Sequence, residues 1–135
     1  MRKVLFACVH NAGRSQMAAA LFNQLADPAK AQAISAGTSP GAHVHPVVVE
    51  VMREVGVDLS GAAPRKLTED VARDAQVHVT MGCGDQCPYV PGTRVEDWPV
   101  RDPKGQPLEI VRAIRDEIAD RVRDLVARER VGRQA

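Results

Sequence analysis

Short unbroken apolar runs and longer stretches with helical spacing take turns along this chain. Lys3 to Cys8 is an apolar run with β-branched and aromatic content, closed by a polar, glycine-containing turn, and reads as a buried parallel strand. Ser15 to Leu25 reads as a helix: Met17, Leu21 and Leu25 recur every four positions with Ala18 and Phe22 beside them, and Asp27-Pro28 stops it. Gln32 to Ala36 is a second strand, ended by the loop Gly37-Thr38-Ser39-Pro40-Gly41. The run after Pro46 carries β-branched residues, yet its signals are helical. Proline suits a first helical position, Val48, Met52 and Val55 share a face, and Gly56 stands where a helix end favours glycine. Asp58 to Arg65 is loop, and Thr68 caps a short helix to Arg73. Gln76 to Met81 is a third strand and Arg94 to Trp98 a short fourth. Pro107 opens the last helix, where Val111, Ile114, Ile118, Val122 and Leu125 form one stripe. Glu117–Arg121 and Asp124–Arg128 line its solvated side.

Strands alternating with helices imply βαβ units and a parallel sheet, so the expected fold is a small α/β doubly wound domain covering residues 1–135. No linker or internal repeat divides it. Composition narrows the core: 44% of residues are apolar but only four are aromatic, which leaves Val, Leu, Ile and Ala to fill it. A net charge of +1 with interspersed signs offers no basic patch for nucleic acid. No apolar run approaches the roughly 20 residues of a membrane span. The stretch Met1 to Phe6 is too short for a signal peptide and runs straight into His10-Asn11, so the expected location is the cytoplasm. Thiols stay reduced there, and three cysteines point to catalysis, redox chemistry or metal binding rather than a structural disulfide framework.

The densest chemistry lies in Cys8-Val9-His10-Asn11-Ala12-Gly13-Arg14-Ser15, between a strand end and a helix start. Such a turn aims backbone N–H groups inward, and the helix adds roughly half a positive charge, so the amides can cradle a tetrahedral oxyanion. Arg14 supplies a planar fork for two of its oxygens. Gly13 permits close backbone approach, and Asn11 tolerates the left-handed conformation a tight loop requires. The same field favours a thiolate at Cys8, which becomes the expected nucleophile, and Ser15 can donate to its sulfur. An inert cysteine ending a buried strand is the bland alternative; the strand before, the helix after and the residues within the loop disfavour it.

The run Val4-Leu5-Phe6-Ala7-Cys8 through Ser15-Gln16-Met17-Ala18 resembles the loop and first helix shared by low-molecular-weight protein tyrosine phosphatases and thioredoxin-coupled arsenate reductases. The continuation Ser15-Gln16-Met17-Ala18, and Ser35-Ala36-Gly37 after the second strand, lean towards the reductases. The resemblance extends to about Val126. It implies a four-stranded parallel sheet in the flavodoxin-like order 2-1-3-4.

A displaced oxygen needs a proton, and Asp102 in Asp102-Pro103 is a plausible source. Alone, an aspartate before proline is more often an ordinary turn residue; the resemblance implies a general acid. The phosphatases follow this pair with tyrosines, whereas here Lys104-Gly105 follow and the only tyrosine is Tyr89. Cys83 and Cys87 come directly after the third strand, at the sheet edge that Cys8 shares. The reductase resemblance implies a relay. Cys8 attacks arsenate, Cys83 attacks Cys8 as arsenite leaves, and Cys87 moves the disulfide to Cys83–Cys87 for thioredoxin or a mycothiol-type small thiol to reduce. No flavin, nicotinamide or metal is then required. Zinc held by the pair with His78, His43 or His45, and two unrelated reduced thiols, are the other readings.

Three features depart from the pattern. His10 replaces a common glycine, Cys83 and Cys87 are closer than usual, and Ala19 and Ala20 stand where some members carry a potassium-site glutamate, although Asn11, Ser35 and Asp58 remain. His43 and His45 read as surface histidines near the mouth of the loop, and Trp98 as packing beneath the acid loop. Arsenate reduction is the leading expectation. A phosphatase hydrolysing a Cys8-phosphate, or an oxyanion sensor without turnover, are the alternatives.

Overall fold

The computed structural model describes residues 1–82 and 90–133. Its centre is strand β1 (Arg2–Cys8), with helix α1 (Arg14–Leu25), strand β2 (Ala31–Gly37), helix α2 (Pro46–Arg53) and helix α3 (Glu69–Arg73) following. Strand β3 (Val77–Thr80), strand β4 (Arg94–Asp97) and helix α4 (Leu108–Glu129) complete the described order. The sheet has four strands in the order β2-β1-β3-β4, all parallel, as the resemblance implies.

β1 is buried on both faces, which is why it reads as a continuous apolar run rather than an alternating one. Val4, Phe6 and Cys8 face a core shared with α1, α2 and α4, while Leu5 and Ala7 face a smaller cluster with Ala36, Leu67, Ala72 and Ala75. All five residues of the α4 stripe are buried. The larger core is less purely aliphatic than composition suggests. Phe6 lies 5.6 Å from Trp98 and 6.1 Å from Phe22 in tilted pairs, and Met17, Met52 and Met81 are fully buried.

α2 begins at Pro46 as expected but stops at Arg53, leaving Val55 37% exposed rather than on the buried face. Glu54, just past its end, instead takes Arg112 and Arg115 of α4 in ion pairs at 2.7 and 2.8 Å. Thr68 caps α3, its hydroxyl accepting from Val71 N at 3.2 Å. β4, at the sheet edge, is short and polar. In register, Cys8 lies beside Gly37 and Ala7 beside Thr80, so β1, β2 and β3 all end at one edge.

Candidate active site

The chain from Cys8 to Gly13 crosses that edge with every backbone carbonyl already bonded. Cys8 O accepts from Thr38 N, Val9 O from Ser39 N, His10 O from Gly41 N, Ala12 O from His45 N and Gly13 O from Met17 N, at 2.8–3.2 Å. The remaining carbonyl, Asn11 O, accepts from the side-chain amide of Gln16 at 3.1 Å. Carbonyls pinned to the 38–45 segment and to α1 leave the loop's amides free for its concave side. The approach is close: a Cβ on Gly37 would stand 2.6 Å from Val9 O. α1 also lacks a side-chain cap and any acidic residue in its first turn, so its N-terminal donors have no intrinsic anionic partner.

Asn11 has φ 51°, the left-handed turn read from the sequence. It is buried, and its Oδ1 accepts from Arg65 N at 2.9 Å and Gln16 Nε2 at 3.1 Å. A backbone N–H can only donate, so the carboxamide orientation is fixed and its NH2 faces Ser15 Oγ at 2.7 Å. Ser15 Oγ in turn lies 2.8 Å from Cys8 Sγ. With an N–H arriving at its oxygen, Ser15 keeps its own proton to give to the sulfur of a Cys8 thiolate, which can only accept. Asn11 N adds a second donor to Sγ at 3.3 Å.

Arg14 is held by donating from Nη1 to Val100 O at 3.1 Å, and its Nη2 lies 3.8 Å from the Asp102 carboxylate. Gly82, at φ +95°, lies against it: a Cβ there would meet Nη1 at 2.5 Å. The 100–103 segment closes over the loop, with Pro103 buried against Gly13, where a Cβ would stand 2.8 Å from Pro103 Cγ. The close approach at Gly13 is therefore made by the Asp102-Pro103 segment itself. Asp102 Oδ1 accepts from Lys104 N at 3.0 Å and its side chain stays 48% exposed.

The model of the low molecular weight phosphotyrosine protein phosphatase family matches residues 3–135. The chain belongs to this family. A Halobacterium salinarum protein named "putative arsenate reductase" is 43% identical over 126 residues, covering 89% of this chain and 87% of that protein. The glutaredoxin arsenate reductase of Synechocystis is 37% identical over 131 residues, covering 95% of this chain and 98% of the relative. Among solved structures, the thioredoxin-dependent arsenate reductase of Corynebacterium glutamicum superposes with TM-score 0.84 at 41% identity. That alignment covers 96% of this chain and 62% of the other, so the chain spans less than two thirds of that protein's length.

Within this phosphatase-family frame the remaining sequence-predicted residues separate. Val9, His10, Asn11, Ala12, Gly13, Arg14 and Ser15 form the loop with Cys8, and Asp102 stands beside Arg14. Cys83 and Cys87 lie outside the described residues. His45 is half-buried beside Gly13, and burial is the largest influence on its pKa, holding it below the ordinary value. Nearby Asp102 pulls the other way, and Lys104, His10 and His43 push further down. His10 turns Nδ1 towards Ser39 O at 3.1 Å. His78 lies on the α3 side of the sheet and donates from Nε2 to Ala72 O at 2.6 Å, a structural tie rather than a ligand position. Among the described residues no group of three or more His, Cys, Asp or Glu is placed to hold a metal. Asn11 Oδ1 takes two N–H donors, Asp58 accepts from Ser60 N at 2.9 Å, and Ser35 lines a cavity of about 370 Å³ with Gln16, Asn23 and Arg65.

Sequence reasoning missed Gln16, the 38–45 clasp and the Arg65 amide. The last two act through backbone groups, which residue identity does not mark. Gln16 carried a usable signal, because a polar residue one position after the loop, on the buried side of a helix, requires partners.

Proposed function

We propose that this chain reduces arsenate to arsenite by a thiol relay starting at Cys8. The carrying observation is the convergence on Cys8 Sγ of Ser15 Oγ and Asn11 N, inside a loop whose carbonyls are all turned away. The arsenate reductase names of its relatives support arsenic over phosphorus. Cys8 acts as the nucleophile: its thiolate displaces one arsenate oxygen, which leaves as water with a proton from Asp102. Arg14 and the amides of Val9 to Ser15 hold the other oxygens as charge redistributes. Cys83 then attacks the Cys8 sulfur, the S–As pair passes to arsenic, and arsenite leaves with a Cys8–Cys83 disulfide behind it. Cys87 attacks Cys83, which releases Cys8 as a thiolate that Ser15 stabilises, and leaves a Cys83–Cys87 disulfide. The balance is two thiols oxidised to one disulfide as arsenic gains two electrons.

An external dithiol restores the pair. Relatives named for thioredoxin and for glutaredoxin support a protein dithiol of that type; a mycothiol-type small thiol is the other candidate. The reading treats residues 1–135 as one domain working in the cytoplasm, where such reductants act. No described helix is long and apolar enough to cross a membrane. The family's phosphatase chemistry is disfavoured by the segment after Asp102. Lys104 and Gly105 form an exposed turn there and carry no aromatic ring of their own for a phenyl group to stack on.

Arsenite release measured with Cys83→Ser and Cys87→Ser variants tests the relay. Cys83→Ser should abolish it, and Cys87→Ser should stop after one turnover with a Cys8–Cys83 disulfide visible by mass spectrometry. Full turnover by Cys83→Ser would sink the reading. So would rapid aryl phosphate hydrolysis, unaffected by Cys87→Ser, in a chain that leaves arsenate unreduced.

A further inference from the structure

Five of the six carbonyls from Cys8 to Gly13 are bonded by backbone N–H groups, and the sixth has no backbone donor. That sixth, Asn11 O, belongs to the residue with the left-handed φ. A side chain fills the gap. Gln16 is 7% exposed, and its Nε2 lies 3.1 Å from Asn11 O, 3.1 Å from Asn11 Oδ1 and 3.3 Å from Ala63 O. All three are acceptors, so the nitrogen is the terminal amide of Gln16 facing them and its two hydrogens are shared among them.

We propose that Gln16 is a positioning residue: it locks the backbone turn and carboxamide of Asn11, so that Asn11 donates to Ser15 and Ser15 donates to Cys8. The inference rests on Cys8 being the reacting group. Donation runs from Gln16 and Arg65 N to Asn11 Oδ1 and from Asn11 Nδ2 to Ser15 Oγ; Ser15 Oγ lies 2.8 Å from Sγ and donates to it when Cys8 reacts as a thiolate. Without Gln16, Asn11 O is a buried carbonyl with no donor, a state costly enough to reopen the turn. Asn11 also provides the amide that reaches Sγ, so both donors to sulfur move with it.

Two near-isosteric substitutions separate positioning from packing. Gln16→Glu keeps the shape but sets a carboxylate oxygen against three acceptors; its protonated form regains one donor, and burial among carbonyls favours that form. Gln16→Met keeps volume and has no donor at any pH. The measurements are Cys8 alkylation by iodoacetamide, followed by peptide mass spectrometry, and arsenite released in the first turnover of pre-reduced protein. Both are taken from about pH 8 down to about pH 5, with thermal unfolding of each variant alongside.

Gln16→Glu should react about tenfold more slowly than the parent near neutrality, and the deficit should shrink as pH falls. The Gln16→Met deficit should stay constant. Variants within twofold of the parent throughout would overturn the inference, as would equal, pH-independent deficits in both. If the parent releases no arsenite but alkylation still shows the Gln16→Glu pattern, the arsenate reading falls and Gln16 keeps its role.

Discussion

Pro103 is packed onto Gly13, so closely that a Cβ at that position would stand 2.8 Å from its Cγ. The residue just before α1 and the proline that follows Asp102 therefore share one contact. Gly13→Ala should push the acid loop outward and carry Asp102 away from Arg14. Since small misplacements of reacting groups cost up to about a hundredfold in rate, turnover should fall by about one to two orders of magnitude. Phosphate binding, measured by calorimetry, should weaken much less. Equal losses in both would show that the alanine damages the cradle rather than the acid loop.

Ser15 lies between an N–H donor and the Cys8 sulfur. Ser15→Ala removes the proton that stabilises sulfur and leaves Asn11 Nδ2 buried without its acceptor. First-turnover arsenite release should slow by about tenfold. Exchange of the Cys8–Cys83 disulfide should slow as well, since Cys8 leaves as a thiolate there. Stopped-flow mixing with arsenate followed by acid quench checks both steps.

His45 has its pKa lowered first by burial and then by the surrounding cations, against the pull of Asp102. The unfolded chain therefore binds a proton that the folded one resists. The stability associated with neutral His45 is fully present above the ordinary histidine range and lost as pH falls through the lowered folded value. Thermal unfolding between about pH 8 and pH 5 should show a falling Tm that His45→Asn flattens. A bound oxyanion beside Gly13 favours the imidazolium, so saturating phosphate should weaken the fall in the parent. An identical profile in His45→Asn would assign the acid sensitivity to another group.

Glu54 is held by Arg112 and Arg115, whose hydrogen bonds bring its pKa down to about 2. Its contribution is present above the ordinary carboxylate range and lost only as pH falls towards that value. Glu54→Gln should lower Tm modestly at neutral pH, because it loosens α4 from the end of α2 and leaves Arg115 with Val51 O and Asp116. Arsenite release at room temperature should be unchanged. A Tm matching the parent would show that these ion pairs add nothing measurable to stability.

The order of elements was legible because the interior is made by pattern. β1 is apolar on both faces, α4 repeats its stripe through five buried residues, and Thr68 and Pro46 mark helix starts. Legibility failed where backbone does the work. The 38–45 segment reads as loop by composition, and nothing in Thr38, Ser39 or Gly41 announces that their amides hold Val9 and its neighbours in shape. Val55 was misplaced because helical spacing continues past the point where Glu54 turns to its arginines. Arg14 was read as an anion fork, and its ties to Val100 and Gly82 depend on residues distant in sequence.

The outward-tied carbonyls between Cys8 and Gly13 bear on selectivity. A cradle built before its guest arrives loses little freedom on binding, and it grips oxygens rather than the atom they surround. Phosphate and arsenate present nearly the same tetrahedron, so such a pocket admits both. Abundant cellular phosphate then becomes a standing competitor, and preference for arsenic is exercised after capture, by whichever sulfur adduct can accept electrons.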